Sequence, residues 1–200
     1  QLEGFGSRLI LRLPQGETLV LLQVPGQHNV RNALAAAAAA VALDVAPAAI
    51  AAGLAAFKGV KGRLQRKQCL HGAILIDDTY NANPDSVRAA LAVLATAQDE
   101  KILVLGDMGE LGEGAAKFHA DIGAAARQAG VNAMLALGEL TIQAVAAFGP
   151  EARHFERIED LLAALGKRLA PGITVLVKGS RFMQMERVVN SFEVTDKQAN

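Results

Sequence analysis

Three loops in the second half of the chain concentrate side chains able to do chemistry, and each follows a short apolar run. The first reads Ile76-Asp77-Asp78-Thr79-Tyr80-Asn81-Ala82-Asn83-Pro84. Two adjacent carboxylates close the run, and a carboxylate accepts hydrogen bonds from a pair of hydroxyls such as those of a ribose. Plainer roles compete: Asp77 as a cap for local backbone, and Asn83 as the N-cap of a helix opened by Pro84. Capping is the favoured role for Asn83, ligand binding for Asp78. The second loop, Leu105-Gly106-Asp107-Met108-Gly109-Glu110-Leu111-Gly112-Glu113, is glycine-rich and acidic. Its charge is wrong for phosphate and right for an ammonium group or a metal, although carboxylate count alone is a weak metal signal. The alternative is a turn whose acids favour the next helix N-terminus. The third, Val177-Lys178-Gly179-Ser180-Arg181, brings two cations to the start of a helix and predicts an anion site, against the plainer reading of two surface charges. The full Gly-x-x-x-x-Gly-Lys-[Ser/Thr] spacing of a P-loop is absent from the sequence.

Nearer the start, His28-Asn29-Val30-Arg31-Asn32 opens a helix. Asn29 and Asn32 are three apart and share a face. An amide donates and accepts, which matches the amino group and ring nitrogen on one edge of adenine. One asparagine is expected to cap the helix and the other to bind. The single cysteine, Cys69, has no internal partner and no motif around it, so it is expected to be inert. His71, His119 and His154 lack metal-ligand spacing with one another or with Cys69. Met183 and Met185 read as packing or loop residues rather than ligands, and there is no Gly-x-Ser-x-Gly elbow to support a hydrolase.

The elements that position these residues follow from hydrophobic period. Residues 9–13 and 18–24 predict a hairpin turning at Pro14-Gln15-Gly16-Glu17, followed by helices over 29–43 and 48–57. A basic, glycine-containing stretch comes next. From residue 73 onward, apolar runs at 73–76, 102–105, 133–137 and 174–177 alternate with helical stretches near 86–97, 115–129, 140–148, 158–169 and 182–189. Such alternation predicts an α/β fold: a Rossmann-like, mostly parallel sheet with helices on both faces and ligands at the strand carboxyl ends. Lys+Arg and Asp+Glu are equal at 20 each, which leaves no basic footprint for nucleic acid or an anionic membrane. Trp is absent, so base-stacking platforms are not expected either. The alanine-rich run 33–43 is too short to span a bilayer and reads as a buried helix. Nothing at Gln1-Leu2-Glu3-Gly4 has the pattern of a basic-then-apolar leader; the expected location is the cytoplasm, and residues upstream of Gln1 remain possible.

The stretches GQHNVRNALAAAA, GRLQ, LIDDTYNANPDSV, VLGDMGELG and VLVKGSRFMQMERVV, in this order, resemble the Mur ligases, and most closely the member that adds D-alanyl-D-alanine. The resemblance implies an ATP-dependent amide-bond ligase of peptidoglycan precursor synthesis acting through an acyl phosphate. Its substrates would be UDP-N-acetylmuramoyl-tripeptide and D-alanyl-D-alanine, and a monomer is expected. It implies residues 1–62 as the C-terminal part of a central ATP-binding domain, 63–72 as a hinge and 73–200 as the C-terminal Rossmann-like domain. The family's P-loop, carbamylated lysine and Mg²⁺ ligands fall outside this sequence, so the segment alone is not expected to catalyse. By resemblance Asn29 and Asn32 contact adenine, Arg63 reaches the ATP phosphates and Asp78, or Asp77, holds the ribose. Tyr80, Asn81, Asn83, Asp107, Glu110, Lys178, Ser180 and Arg181 are expected to line the substrate cleft, with Lys178 and Arg181 on a carboxylate. The rivals are another ligase of the superfamily, such as a folylpolyglutamate synthase, and a non-catalytic Rossmann-like binding or receiver-like module.

Overall fold

The computed structural model describes residues 2–3, 5–98 and 100–194. The chain divides into two compact units, Gln1–Val60 and Lys61–Asn200. In the first, β1 (Leu2–Glu3), β2 (Gly6–Leu13) and β3 (Gly16–Leu22) form an antiparallel sheet. The turn falls at Pro14-Gln15, with Leu13 opposite Gly16. Alternation sends Leu11, Val20 and Leu22 inward against Ala33 and Ala37 of α1 (Gln27–Ala42) and Ile50 of α2 (Pro47–Ala56). Pro47 takes the first helical position of α2, where its missing N–H costs nothing.

The second unit is a six-stranded sheet in the order β4-β5-β9-β6-β7-β8. Its strands are β4 (Gln65–Gln68), β5 (Ile74–Asp78), β6 (Glu100–Gly106), β7 (Ala133–Leu137), β8 (Ala152–Phe155) and β9 (Ile173–Lys178). Only β4 runs antiparallel to its neighbour, giving the expected α/β, mostly parallel sheet. Helices α3 (Pro84–Leu94), α4 (Ala115–Gln128) and α5 (Thr141–Phe148) pack side by side, and α6 (Ile158–Gly166) packs with α7 (Glu186–Phe192). The chain steps from β5 through β6 and β7 to β8 in one direction and then returns, inserting β9 between β5 and β6. Right-handed crossovers therefore put the helices in two groups on opposite faces. Connections leave neighbouring strands toward opposite faces around β9, so the carboxyl ends of β5, β9 and β6 form the switch point where open sheets of this kind bind ligands.

The stretch 63–72, expected to be a hinge, contains β4, whose residues Gln65–Gln68 pair with 74–77 of β5, and the second compact unit begins at Lys61. Its polar Gln-Arg-Lys-Gln sequence suits an edge strand, half exposed and fixed by backbone pairing rather than by burial. One expectation about the elements changes: the helix expected near 182–189 is instead a 3₁₀ turn, Arg181–Met183, and α7, separated by Gln184 in the left-handed region at φ 49°. Part of the domain drawn as 73–200, namely residues 195–200, lies outside the described residues.

Candidate functional site

The sheet register places Asp78 directly beside Lys178, and Lys178 beside Leu105. Lys178 is 2 % exposed and Asp78 8 %. The Lys178 ammonium donates to Asp78 Oδ2 at 2.5 Å and to the Asn81 carbonyl at 2.9 Å. Asp78 Oδ1 accepts the Leu64 N–H at 3.2 Å. Asp77, on the other face of the strand, accepts the Thr79 hydroxyl at 2.7 Å and N–H at 3.3 Å and lies 3.2 Å from Lys67. Of the two adjacent acids, Asp77 is thus consumed by local structure, while Asp78 sits among the rim loops. Beside them Arg63 lies over the Tyr80 ring, 4.3 Å from its centroid, with both residues exposed. Gly62 is needed here: its φ is +71°, and a Cβ would approach the Tyr80 nitrogen to 3.1 Å. Asn83 caps α3 in a reciprocal capping box with Ser86.

The acidic loop is pinned one residue after another. Asp107 Oδ1 accepts the N–H groups of Leu140 (3.1 Å) and Thr141 (2.9 Å), so it caps α5 from the neighbouring strand end. The Met108 N–H donates to His119 Nε2 at 2.9 Å, and His119 Nδ1 faces the Ala115 carbonyl at 2.7 Å, which selects the neutral Nδ1–H tautomer for this buried ring. The Gly109 N–H donates to Ser180 Oγ at 2.7 Å. Glu110 follows with φ +60°, a conformation that costs a residue with a Cβ roughly 1–2 kcal/mol. It is exposed, and no described residue pairs with its carboxylate. Arg181, also exposed, is held by Glu186 at 3.0 Å.

Residues 62–181 match the sequence profile of the family described as Mur ligase, glutamate ligase domain. That match extends over more than half of the chain. The chain belongs to the Mur ligase family. It is 40 % identical over 190 residues to a UDP-N-acetylmuramoyl-tripeptide–D-alanyl-D-alanine ligase of Escherichia coli, covering 94 % of this chain and 42 % of that protein. A crystal structure of MurF from Acinetobacter baumannii superposes with a TM-score of 0.86 at 35 % identity over 96 % of this chain and 43 % of its own. A MurF ligase from Thermotoga maritima, solved in complex with ADP, shares the fold at a TM-score of 0.82 and 22 % identity, over 94 % of this chain and 43 % of its own. The chain therefore spans less than half the length of the relatives it matches.

Within this Mur ligase chain, the rim gathers Asp78, Tyr80, Asn81, Asn83, Asp107, Glu110, Lys178, Ser180 and Arg181 from three adjacent strand ends; Asn83 caps α3 as expected, and several of the others face differently from the expected arrangement. Lys178 and Arg181 do not converge on an anion: Lys178 is buried against Asp78, and the Arg181 side chain is 63 % exposed and paired with Glu186. Both Ser180 and Asp107 turn their side chains into the protein. In the first unit neither Asn29 nor Asn32 caps α1, because the helix begins earlier, with Gly26 at the N-cap and no side-chain cap. Asn29 donates to the Pro25 carbonyl at 2.7 Å, and Asn32 to Asn29 Oδ1 at 3.5 Å, leaving two linked amides on one helix face. Leu64 is not among the candidates from sequence, and His119 is weighed there only as a metal ligand, not as the acceptor of the Met108 N–H. The signal for Asp107's role was present: Leu140 at the N-cap of α5 cannot cap, so the α5 start required an acceptor from elsewhere.

Proposed function

We propose that this chain is part of an ATP-dependent ligase that joins D-alanyl-D-alanine to UDP-N-acetylmuramoyl-tripeptide. The reading draws on the named activity of the E. coli relative, on the ADP complex of the T. maritima relative, and on one observation in this chain. A loop held by hydrogen bonds at Met108 and Gly109 presents Glu110, whose carboxylate pairs with no described residue, at the same rim that holds Asp78. The terminal carboxylate of the tripeptide is a poor electrophile; phosphorylation by ATP makes it an acyl phosphate. The amine of D-alanyl-D-alanine then attacks the carbonyl, a tetrahedral intermediate forms, and the C–O bond to phosphate breaks. Catalysis in such a sequence is positioning and charge neutralisation.

In this scheme Asn29 and Asn32 contact adenine, Arg63 reaches the phosphates and Asp78, oriented by Lys178 and the Leu64 N–H, takes the ribose hydroxyls. Glu110, rather than Asp107, draws the ammonium of the acceptor to the rim and orients the amine once its proton has left. Tyr80, Asn81 and Arg181 border the same surface. Among the described residues no group of three or more His, Cys, Asp or Glu is placed to hold a metal ion, so Mg²⁺ is assigned no ligand and no step on this chain. The cytoplasm and a monomeric state remain part of the proposal; no helix among the described residues is long and apolar enough to cross a membrane.

The test is steady-state kinetics on the full-length enzyme containing this sequence. Glu110→Gln should raise the KM for D-alanyl-D-alanine roughly tenfold or more, the scale of one charge-assisted hydrogen bond, with the KM for ATP unchanged. Failure of the parent enzyme to release phosphate in the presence of both substrates and ATP would overturn the activity. A selective rise in the ATP constant would overturn the role of Glu110.

A further inference from the structure

Ser180 joins the three rim loops: its backbone N–H donates to the Asp107 carbonyl at 2.9 Å, its Oγ accepts from Gly109 N–H at 2.7 Å, and its hydroxyl donates to the Ala82 carbonyl at 3.1 Å. It is 4 % exposed, so a substrate meets it only through its neighbours. The Ala82 loop has other restraints: Lys178 on Asp78 and on the Asn81 carbonyl, and the capping box at Asn83. The loop carrying Gly109 has fewer. Met108 is fixed by His119, and the next amide, Gly109, rests on Ser180 alone among the described hydrogen bonds. Directly after it comes Glu110, exposed, in the left-handed conformation, its carboxylate paired with no described residue. A residue with a Cβ stays in that region only where its surroundings over-determine it. The Gly109 amide is the nearest restraint. Side-chain space is also closed at that point, since a Cβ on Gly109 would lie 2.9 Å from the Phe182 ring.

We propose that Ser180 is a positioning residue for the acceptor amine: its hydroxyl fixes Gly109 and so holds the Glu110 carboxylate where the ammonium of the incoming dipeptide meets it. This deepens the ligase reading above and rests on it. Ser180→Ala leaves a donor without its acceptor, frees the peptide between Gly109 and Glu110 and lets Glu110 relax toward an ordinary backbone region. Asp78 keeps its own two partners, so the nucleotide side is left in place.

The experiment compares Ser180→Ala, Ser180→Thr, Glu110→Gln and the double variant Ser180→Ala/Glu110→Gln in the full-length enzyme. Ser180→Ala should raise the KM for D-alanyl-D-alanine about tenfold and leave the KM for ATP unchanged, while Ser180→Thr, which keeps the hydroxyl, restores most of the loss. In the Glu110→Gln background the serine substitution should add little, because its effect passes through the carboxylate. Additive effects of the two substitutions overturn the proposal, as does a parallel rise in both Michaelis constants, which is the signature of general loosening. Amide exchange at Gly109, read by NMR or mass spectrometry, should quicken in Ser180→Ala with or without activity; an unchanged rate removes the structural basis. A parent enzyme without ligase activity sinks the ligase reading, and with it the role of Glu110, whereas exchange at Gly109 reports on the serine separately.

Discussion

At the scale of single residues, the Lys178–Asp78 pair decides how the rim is read. A lysine followed by Gly-Ser-Arg at a strand end looks like an anion site when only the order of residues is known. The register changes that, because Asp78 and Lys178 are direct neighbours on adjoining parallel strands, separated by 100 positions in sequence. Removing one partner of a buried ion pair leaves the other charge stranded, at a typical cost of 3–5 kcal/mol, whereas a lysine on the surface costs little. Lys178→Ala is therefore expected to destabilise the second unit by about 3–5 kcal/mol in denaturant unfolding, and Lys178→Met with Asp78→Asn to recover part of that loss. A change within about 0.5 kcal/mol would mean that the pair is solvated after all. The residue types of the site were legible in the sequence, as were the loops that carry them. Their direction was not. Asp107, Lys178 and Ser180 turn inward because of partners contributed by the start of α5, by β5 and by the neighbouring loops, and a single sequence carries no record of the register that brings them together. Glu110 was legible only as one of two acids, and the capping work of Asp107 on α5 separates them.

Elements were read well where burial imposes a period. Strands β5, β6, β7 and β9 are covered on both faces and appear as apolar runs. Strands β4 and β8 lie at the sheet edges with Gln-Arg-Lys-Gln and Ala-Arg-His-Phe sequences, so neither composition nor alternation marks them. Helix contacts were equally hidden. Gly123 in the middle of α4 looks like a weak point for a helix, and exposed helical Gly→Ala changes stabilise by up to roughly 1 kcal/mol. Here the sign reverses. A Cβ at Gly123 would stand 2.1 Å from the Ala144 carbonyl oxygen of α5, and backbone cannot swing aside as a side-chain tip does. The two helices must separate, opening the layer over β6 and β7. Gly123→Ala should destabilise by about 1–3 kcal/mol or more, the usual cost of overpacking. A raised unfolding midpoint would show that α4 and α5 are less closely packed than these distances require.

At the scale of the molecule, the second unit is closed by a contact between its beginning and its end, and that contact titrates. Lys67 on β4 lies 3.2 Å from Asp77 of β5 and 2.9 Å from Glu193, just past α7. Cys69 forms a β-bridge with Glu193, and the Val194 N–H donates to the Gln68 carbonyl. Burial alone would lower the Lys67 pKa, but the hydrogen bond to Glu193 and the charge of Asp77 outweigh it and hold the ammonium above its ordinary 10.5. Burial pushes the Cys69 thiol from 9.0 up to about 11, against a smaller opposing effect of a backbone hydrogen bond at Leu70. Both groups hold their protons more tightly folded than unfolded. The Cys69 contribution is thus complete below pH 9.0 and disappears as pH rises through about 11; that of Lys67 is complete below 10.5 and disappears above it. The urea midpoint of the second unit, followed by alkylation of Cys69 as the buried thiol becomes accessible, should fall with rising pH across this range. Cys69→Ala, followed by circular dichroism instead, should flatten the decline between pH 9.0 and 10.5, and Lys67→Met should flatten what remains above 10.5. A decline just as steep in both variants would place the alkaline weakness elsewhere and leave the closure of β4 on the end of α7 without the energetic weight assigned to it.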